Sequence, residues 1–431
     1  MTEPTLRSMR RRRVLLGLAA AAAPGWLGAS TPSLGKARVV IVGGGIAGAA
    51  CARWLRWLAP DLRIVLVETN ATVYSGFFCN TVIAGLNPLT HVARQPAVLS
   101  DHRIEVVATA ATGLDAGRRC VHLSDGRRLG ADAIVLAPGI AMRDDSVAGF
   151  DATAMRDNPP AWPGGKSALA MVRRRLLTLP PGGVIAVAPP AAPYRCPPGP
   201  YERVSLFAHV LSRVNPRAKI LIADAKDSFS KQTLFLEAWA RHYPGMIEWI
   251  GRQDGGSVEH YAHASQTLYL ASGDRIAADW AHVIPQQTAG RLAGIAGLVD
   301  RSGWVPVDAS DFSVVGAQGI YAVGDATQAQ PMPKSAFSAY NQARACAHAI
   351  VASLQGREAT PGLLANTCYS MVTPDAAFSV SSLYAVQGGQ LRIRNPDSQL
   401  SPLIASARER RREAEEAKAL YGHLMHLCYG R

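Results

Sequence analysis

The sequence contains no Cys-x-x-Cys-His, so this chain does not itself attach a c-type haem. Beyond its N-terminal segment, no stretch approaches the roughly 18 uninterrupted apolar residues of a membrane span, which excludes an integral segment from the mature chain. Charged residues make up only 18% and hydrophobic residues 48%, and the 28 prolines and 39 glycines follow no period, so disordered, collagen-like and coiled-coil readings all fail. A small disulfide scaffold fails on length, because 431 residues are enough to bury a large core and imply two or three domains. What is in excess is positive charge, 45 Lys+Arg against 32 Asp+Glu for a net +13.

Part of that charge is local. Arg7 and Arg10 to Arg13, offset by Glu3, precede an apolar Val14–Leu18 run, an alanine stretch to Ala23, and the small residues Gly28-Ala29-Ser30; without this segment +13 becomes +9. A charged start, a short apolar middle and a small-residue exit form a cleavable signal peptide. Arg11-Arg12-Arg13-Val14-Leu15-Leu16 also resembles a twin-arginine signal, which implies export of a folded, cofactor-loaded protein to the periplasm. The remaining basic residues are scattered, which argues against nucleic acid as a partner.

The first strong motif follows a short polar linker. Arg38–Val42 is a β-branched run expected to be a buried parallel strand, and Gly43, Gly45 and Gly48 follow at G-x-G-x-x-G spacing before a helix from Ala49 to Leu58. Those glycines serve a tight turn, close approach of the backbone to a pyrophosphate, and close helix-to-strand contact. A second strand, Arg63–Val67, ends at Glu68, twenty residues after Gly48, where an acid accepts hydrogen bonds from an adenosine ribose. A further strand pattern, Ala131–Ala137, runs into the turn at Gly139.

Late in the chain, Gly319–Gly324 is another strand pattern, ending in Asp325. With the early fingerprint, this resembles the two-dinucleotide-binding-domain flavoproteins related to glutathione reductase. That resemblance implies FAD, with Asp325 holding its ribityl chain, and an FAD domain split into residues 36–150 and 286–360. Between the two parts, residues 151–285 form a second Rossmann-like domain whose first strand, within Gly182–Ala188, runs into Pro189-Pro190 where a glycine turn is expected. Proline offers no N–H to a phosphate and blocks backbone approach, so no nicotinamide site is expected there. The fold class is therefore α/β with two Rossmann-like domains, the FAD domain discontinuous, followed by a C-terminal interface region over 361–431; residues 1–35 are signal and linker.

Seven cysteines leave at least one unpaired. Cys51 and Cys346 lie among alanines of helical segments and read as small core residues; Cys120 and Cys428 have no informative context. Cys196 lies in a rigid loop, Ala191–Arg203, bracketed by prolines and next to Arg195, a cation expected to lower the thiol pKa. Cys368 lies in Asn366–Ser370. Spacing alone pairs none of them.

The segments APPAAPYRCPPGPYERVS, GDATQAQPMPKSAFSAYNQARA and LLANTCYS resemble the flavoprotein subunit of flavocytochrome c sulfide dehydrogenase, and the likeness runs from about residue 38 to the C-terminus. The resemblance implies that Cys196 and Cys368 form a redox-active disulfide beside the flavin, and that hydrosulfide is oxidised there. A purely structural disulfide is the alternative. Glu202, six residues after Cys196, matches a family glutamate and is a candidate proton acceptor or simply a helix-start carboxylate. Lys334 is a candidate cation near the flavin, or a solvated lysine. Some members attach FAD through a Tyr-x-Cys cysteine; the matching position here is Gly76, with Cys79 three residues on, so FAD is expected to be non-covalent. The implied electron acceptor is a c-type cytochrome, as bound subunit or soluble partner, and the residual charge is suited to steering an acidic one. Two rival readings are a sulfide:quinone oxidoreductase, which needs an apolar amphipathic surface, and an exported FAD-binding partner of a cytochrome without turnover. The stretch 407–418, of mixed charge, reads as a solvated helix with an apolar end at Leu420–Leu427.

Overall fold

A computed structural model describes residues 33–143, 145–160, 165–394 and 399–430; the export-signal reading falls on residues 1–32, outside them. Two parallel sheets dominate. The first has the order Ile320–Ala322, Ala133–Leu136, Arg38–Val42, Arg63–Val67, Glu105–Val107, so a strand from late in the chain pairs with one from the first third. The β-branched runs are continuous because both faces are covered. Alternation sends Val39 and Ile41 into a core shared with Cys51, Leu55, Ala343 and Cys346. Val40 and Val42 face the other side, with Leu136, Trp304 and Ile320.

The helices Ile46–Leu58 and Ala336–Leu354 cover the first face, and their alanines and paired cysteines let the axes approach closely. The second sheet runs Ile247–Ile250, Lys219–Ala223, Val184–Ala188, Trp280–Val283, again all parallel, with the helix Gly199–Val214 against it. The third is antiparallel: Leu364–Thr373, Ala376–Gln387 and Gln390–Ile393, with Gln399–Leu400 on the other edge of the middle strand.

The helix Ala407–Tyr429 lies on this third sheet and begins with a capping box between Ser406 and Glu409. Its basic half is not simply solvated, as the mixed charge suggested. Arg410 and Glu413 are buried, the guanidinium donating to Glu413 at 3.0 Å and to the carbonyls of Pro402 and Leu403, over the Phe378 ring. Charge pattern alone does not distinguish a solvated ion pair from one that fastens a helix to a sheet.

Candidate active site

The first wall of the site is the glycine turn. Gly43 has φ +108°, and a Cβ there would lie 2.2 Å from the Ala137 carbonyl oxygen; one on Gly48 would lie 1.8 Å from that of Gly43. A Cβ on Gly45 meets nothing within 4 Å, so its open side faces the cleft, and no side chain caps the N-terminus of the helix that follows. That leaves backbone amides pointing into the space where a pyrophosphate would bind. Glu68 follows the second strand; its Oε2 accepts from the Gly44 amide at 2.7 Å and its Oε1 from Asn70.

Opposite, Asp325 leaves the strand Ile320–Ala322 and joins the Cys196 loop. Its Oδ2 pairs with Arg195 Nε at 2.6 Å, while Oδ1 is buried without a hydrogen-bond partner among the described residues. Arg195 reaches across to Gly139, where an added Cβ would come within 3.0 Å of its Nη2. Lys334 does not line the cleft. Its ammonium donates to the carbonyls of Asp325 (2.9 Å) and Thr327 (2.7 Å) over the Trp304 ring, and burial pulls its pKa down to about 8. The cations in the cleft wall are Arg94 and Arg195, and no local pattern announces the pairing of Arg195 with Asp325.

Between these walls lies a cleft of about 1160 Å³ that brings together Gly45, Gly139, Cys196, Glu202, Asp325 and Cys368. Cys196 has φ +55°, a backbone region sparsely populated by non-glycine residues. The loop is held there by its amide donating to the Lys334 carbonyl and by its carbonyl accepting from Gly199, both at 2.7 Å. Cys196 and Cys368 are free thiols in this structure, with their side chains hydrogen-bonded to each other.

The hydrogen bond between the thiols moves their pKa values apart. Donation to Cys368 and burial push Cys196 well up, whereas acceptance of that bond holds Cys368 down at about 7. The expected lowering of the Cys196 pKa by Arg195 is therefore not met, because Arg195 turns to Asp325. Glu202 lies in the first turn of Gly199–Val214, its Oε1 accepting from the Met371 amide at 2.9 Å and its Oε2 from Asn80 at 2.8 Å; burial raises its pKa.

Gly76 lines the cleft, whereas Cys79 does not. Cys79 begins a short helix, 1% exposed and against Arg203, and burial raises its pKa. The C-terminal helix supplies two lining residues that composition did not reveal, Met425 and Tyr429, and the Tyr429 hydroxyl donates to the Gly44 carbonyl at 2.7 Å. Nearby, Tyr421 stacks on Phe78 with ring centres 4.7 Å apart.

Three family models match successive parts of the chain. Residues 37–159 match a pyridine nucleotide-disulphide oxidoreductase model, 169–285 the central part of the sulfide dehydrogenase [flavocytochrome c] flavoprotein chain, and 360–426 the flavin-binding part of flavocytochrome c sulphide dehydrogenase. Over 48 residues, 11% of this chain and the whole of the relative, it is 44% identical to the sulfide dehydrogenase [flavocytochrome c] flavoprotein chain of Chlorobaculum thiosulfatiphilum. The chain belongs to the flavocytochrome c sulfide dehydrogenase flavoprotein family.

Among solved structures, the sulfide:quinone oxidoreductase of Aquifex aeolicus is similar at TM-score 0.69 and 16% identity, over 92% of each chain. A ferredoxin reductase from Rhodopseudomonas palustris is similar at TM-score 0.60 and 17% identity, over 80% of this chain and 82% of that one. At such identities they establish the fold. Within the sulfide dehydrogenase family matches, the central part contains Cys196 and Glu202, and the flavin-binding part contains Cys368 and Met425. The cleft suits the family's FAD: open glycine amides for the pyrophosphate, Glu68 for the ribose, and an unpartnered Asp325 oxygen for a hydroxyl of the linking chain. No described helix is long and apolar enough to cross a membrane.

Proposed function

We propose that this chain is an FAD-dependent sulfide dehydrogenase that oxidises hydrosulfide at a Cys196–Cys368 disulfide and passes electrons to a c-type cytochrome in the periplasm, with FAD held non-covalently. The observation that carries the reading is the meeting of Cys196, Cys368 and a buried Glu202 in the wall of the flavin cleft.

FAD, when bound, accepts the electron pair that leaves sulfur. The chain's own part is thiol–disulfide exchange. Hydrosulfide attacks Cys196 Sγ and the S–S bond breaks; Cys196 then carries a persulfide and Cys368 departs as a thiolate. The Glu202 carboxylate takes the persulfide proton, and burial, by raising its pKa, makes it a stronger proton acceptor than an ordinary carboxylate. Gly76 lines the cleft and Cys79 does not, so the segment that carries the attaching cysteine in some relatives offers no thiol to the cofactor here.

The test adds sulfide to purified mature protein with oxidised cytochrome c or a quinone analogue. Flavin bleaching and cytochrome reduction are expected in wild type and lost by about a thousandfold in Cys196→Ser and Cys368→Ser. Bleaching that survives in both variants sinks the disulfide mechanism, and preference for quinone assigns the chain to the other acceptor. Acid precipitation should release all the yellow colour. Because the Glu202 pKa is raised, the acid limb of the rate profile should lie above the ordinary carboxylate range, the rate falling as Glu202 becomes protonated; Glu202→Gln should abolish that limb.

A further inference from the structure

Lys231 ends the turn before the helix Gln232–His242 and is 5% exposed, with φ +65°. Burying an ammonium so completely is costly unless an anion compensates it. Its Nζ donates to the Cys368 carbonyl at 2.8 Å and lies 5.8 Å from the centre of the buried Phe378 ring. A carbonyl dipole and a ring face orient the ammonium but carry no net charge. The ionisable groups that feel its charge are Glu202 and the two cysteines, Cys196 and Cys368.

We propose that Lys231 is a positioning residue whose buried ammonium holds Cys368 in the thiolate form, making it the leaving group when hydrosulfide attacks Cys196. This rests on the disulfide reading above. The position comes from three elements: the helix Gln232–His242 donates its Leu234 and Phe235 amides to the Lys231 carbonyl, the strand Leu364–Thr373 presents the Cys368 carbonyl, and Phe378 comes from the adjacent strand.

The titratable and charged groups around the sulfurs act in opposite directions. Lys231 favours both thiolates and the Glu202 carboxylate, whereas Glu202 disfavours both thiolates. Arg203, from the same helix as Glu202, is committed to Asn80, the Pro160 carbonyl and His282. From the C-terminal helix, Glu416 accepts from the Tyr369 hydroxyl at 3.1 Å. Donation from Cys196 is the largest influence lowering the Cys368 pKa in the dithiol, and Lys231, anchored on the Cys368 backbone itself, supplies the cation that adds to it.

The test is the pH dependence of iodoacetamide alkylation at each cysteine, read by mass spectrometry on the holoprotein after reduction of the disulfide. In wild type, Cys368 should be alkylated with a midpoint near 7 and Cys196 at much higher pH. Lys231→Met should lower the Cys368 thiolate population at pH 7 by about tenfold, and the sulfide-dependent rate with it, both recovering as pH rises. Lys231→Arg should restore the wild-type midpoint. An unmoved Cys368 midpoint in Lys231→Met overturns the proposal even if activity is lost, since loss alone would follow from misfolding. If Lys231→Met does not fold, a wild-type Cys368 midpoint above 9 overturns it equally, and a midpoint near 7 that rises in Lys231→Gln supports it. Failure of the sulfide reading shows differently: wild-type flavin is not bleached by sulfide while the alkylation midpoints stay as stated.

Discussion

The two parallel sheets share a strand–turn–helix–strand plan, yet one ends in an open ligand cleft and the other in a filled one. In the first, Arg38–Val42 leads through glycines into a helix, and the strand Arg63–Val67 ends at Glu68, which stays half-buried and accepts from Gly44 in the turn and from Asn70. In the second, Val184–Ala188 leads into Pro189-Pro190, and the strand Lys219–Ala223 ends at Asp224, topologically the same place. Asp224 is 0% exposed and fully engaged. Tyr201 donates to it, Trp249 Nε1 donates at 3.0 Å, and Lys226 pairs with it at 2.6 Å while also reaching the Pro190 carbonyl. An acid at a strand end is available to a ribose only if it stays accessible and is not tied up by a cation, as Glu68 is and Asp224 is not. Here the second sheet uses its acid to close its own cleft, and the redox loop bearing Cys196 grows from the same junction.

Substitutions that exchange the properties of the two junctions should break the comparison, and the largest effect is expected in the glycine turn. Gly48→Val places side-chain carbons where a Cβ already meets the Gly43 carbonyl at 1.8 Å, so about 3 kcal/mol or more of stability and all bound flavin should be lost, checked by denaturant unfolding and by absorbance near 450 nm. Retained flavin would mean the turn is not the pyrophosphate site. Asp224→Ala strands a buried ammonium and should cost about 3 to 5 kcal/mol in unfolding experiments. It should nevertheless leave the flavin content of folded protein unchanged; loss of flavin would show that the second junction is not independent of the first.

Glu68→Gln is a smaller perturbation. It keeps the shape but weakens the acceptor, so flavin should bind about tenfold more weakly, measured by equilibrium release, with little change in stability. The smallest expected effect is none: anaerobic NADH or NADPH should not bleach the flavin. Bleaching would show that the proline junction admits a nicotinamide dinucleotide after all, which would make the two sheets functional equals.

Local chemistry was easy to read. The glycine spacing, the strands on either side of it, Glu68, and the proline-bracketed Cys196 are each dictated by a few neighbouring residues whose backbone needs are unmistakable. Lys334 was harder: after Pro331-Met332-Pro333 it reads as a cation near the flavin, with a surface lysine as the alternative. Its ammonium turned out to fasten two loops over Trp304. Met425 and Tyr429 were unreadable as cleft residues because nothing in a mixed-charge helix says which remote turn its last residues touch. The same holds for Lys231, whose importance depends on a strand more than a hundred residues away.

By itself the sequence determined the two nucleotide-type units, the glycine turn that one has and the other lacks, and the rigid loop that carries Cys196, because each depends on φ/ψ demands and side-chain periodicity within a short stretch. Only the tertiary structure decided that Cys196 and Cys368 meet in one cleft, that Arg195 rather than Lys334 enters the cleft wall, and that Asp224 is consumed internally. Those outcomes depend on burial and on charges brought together from distant segments, and the cost of leaving a buried charge unpaired is a property of the packed interior.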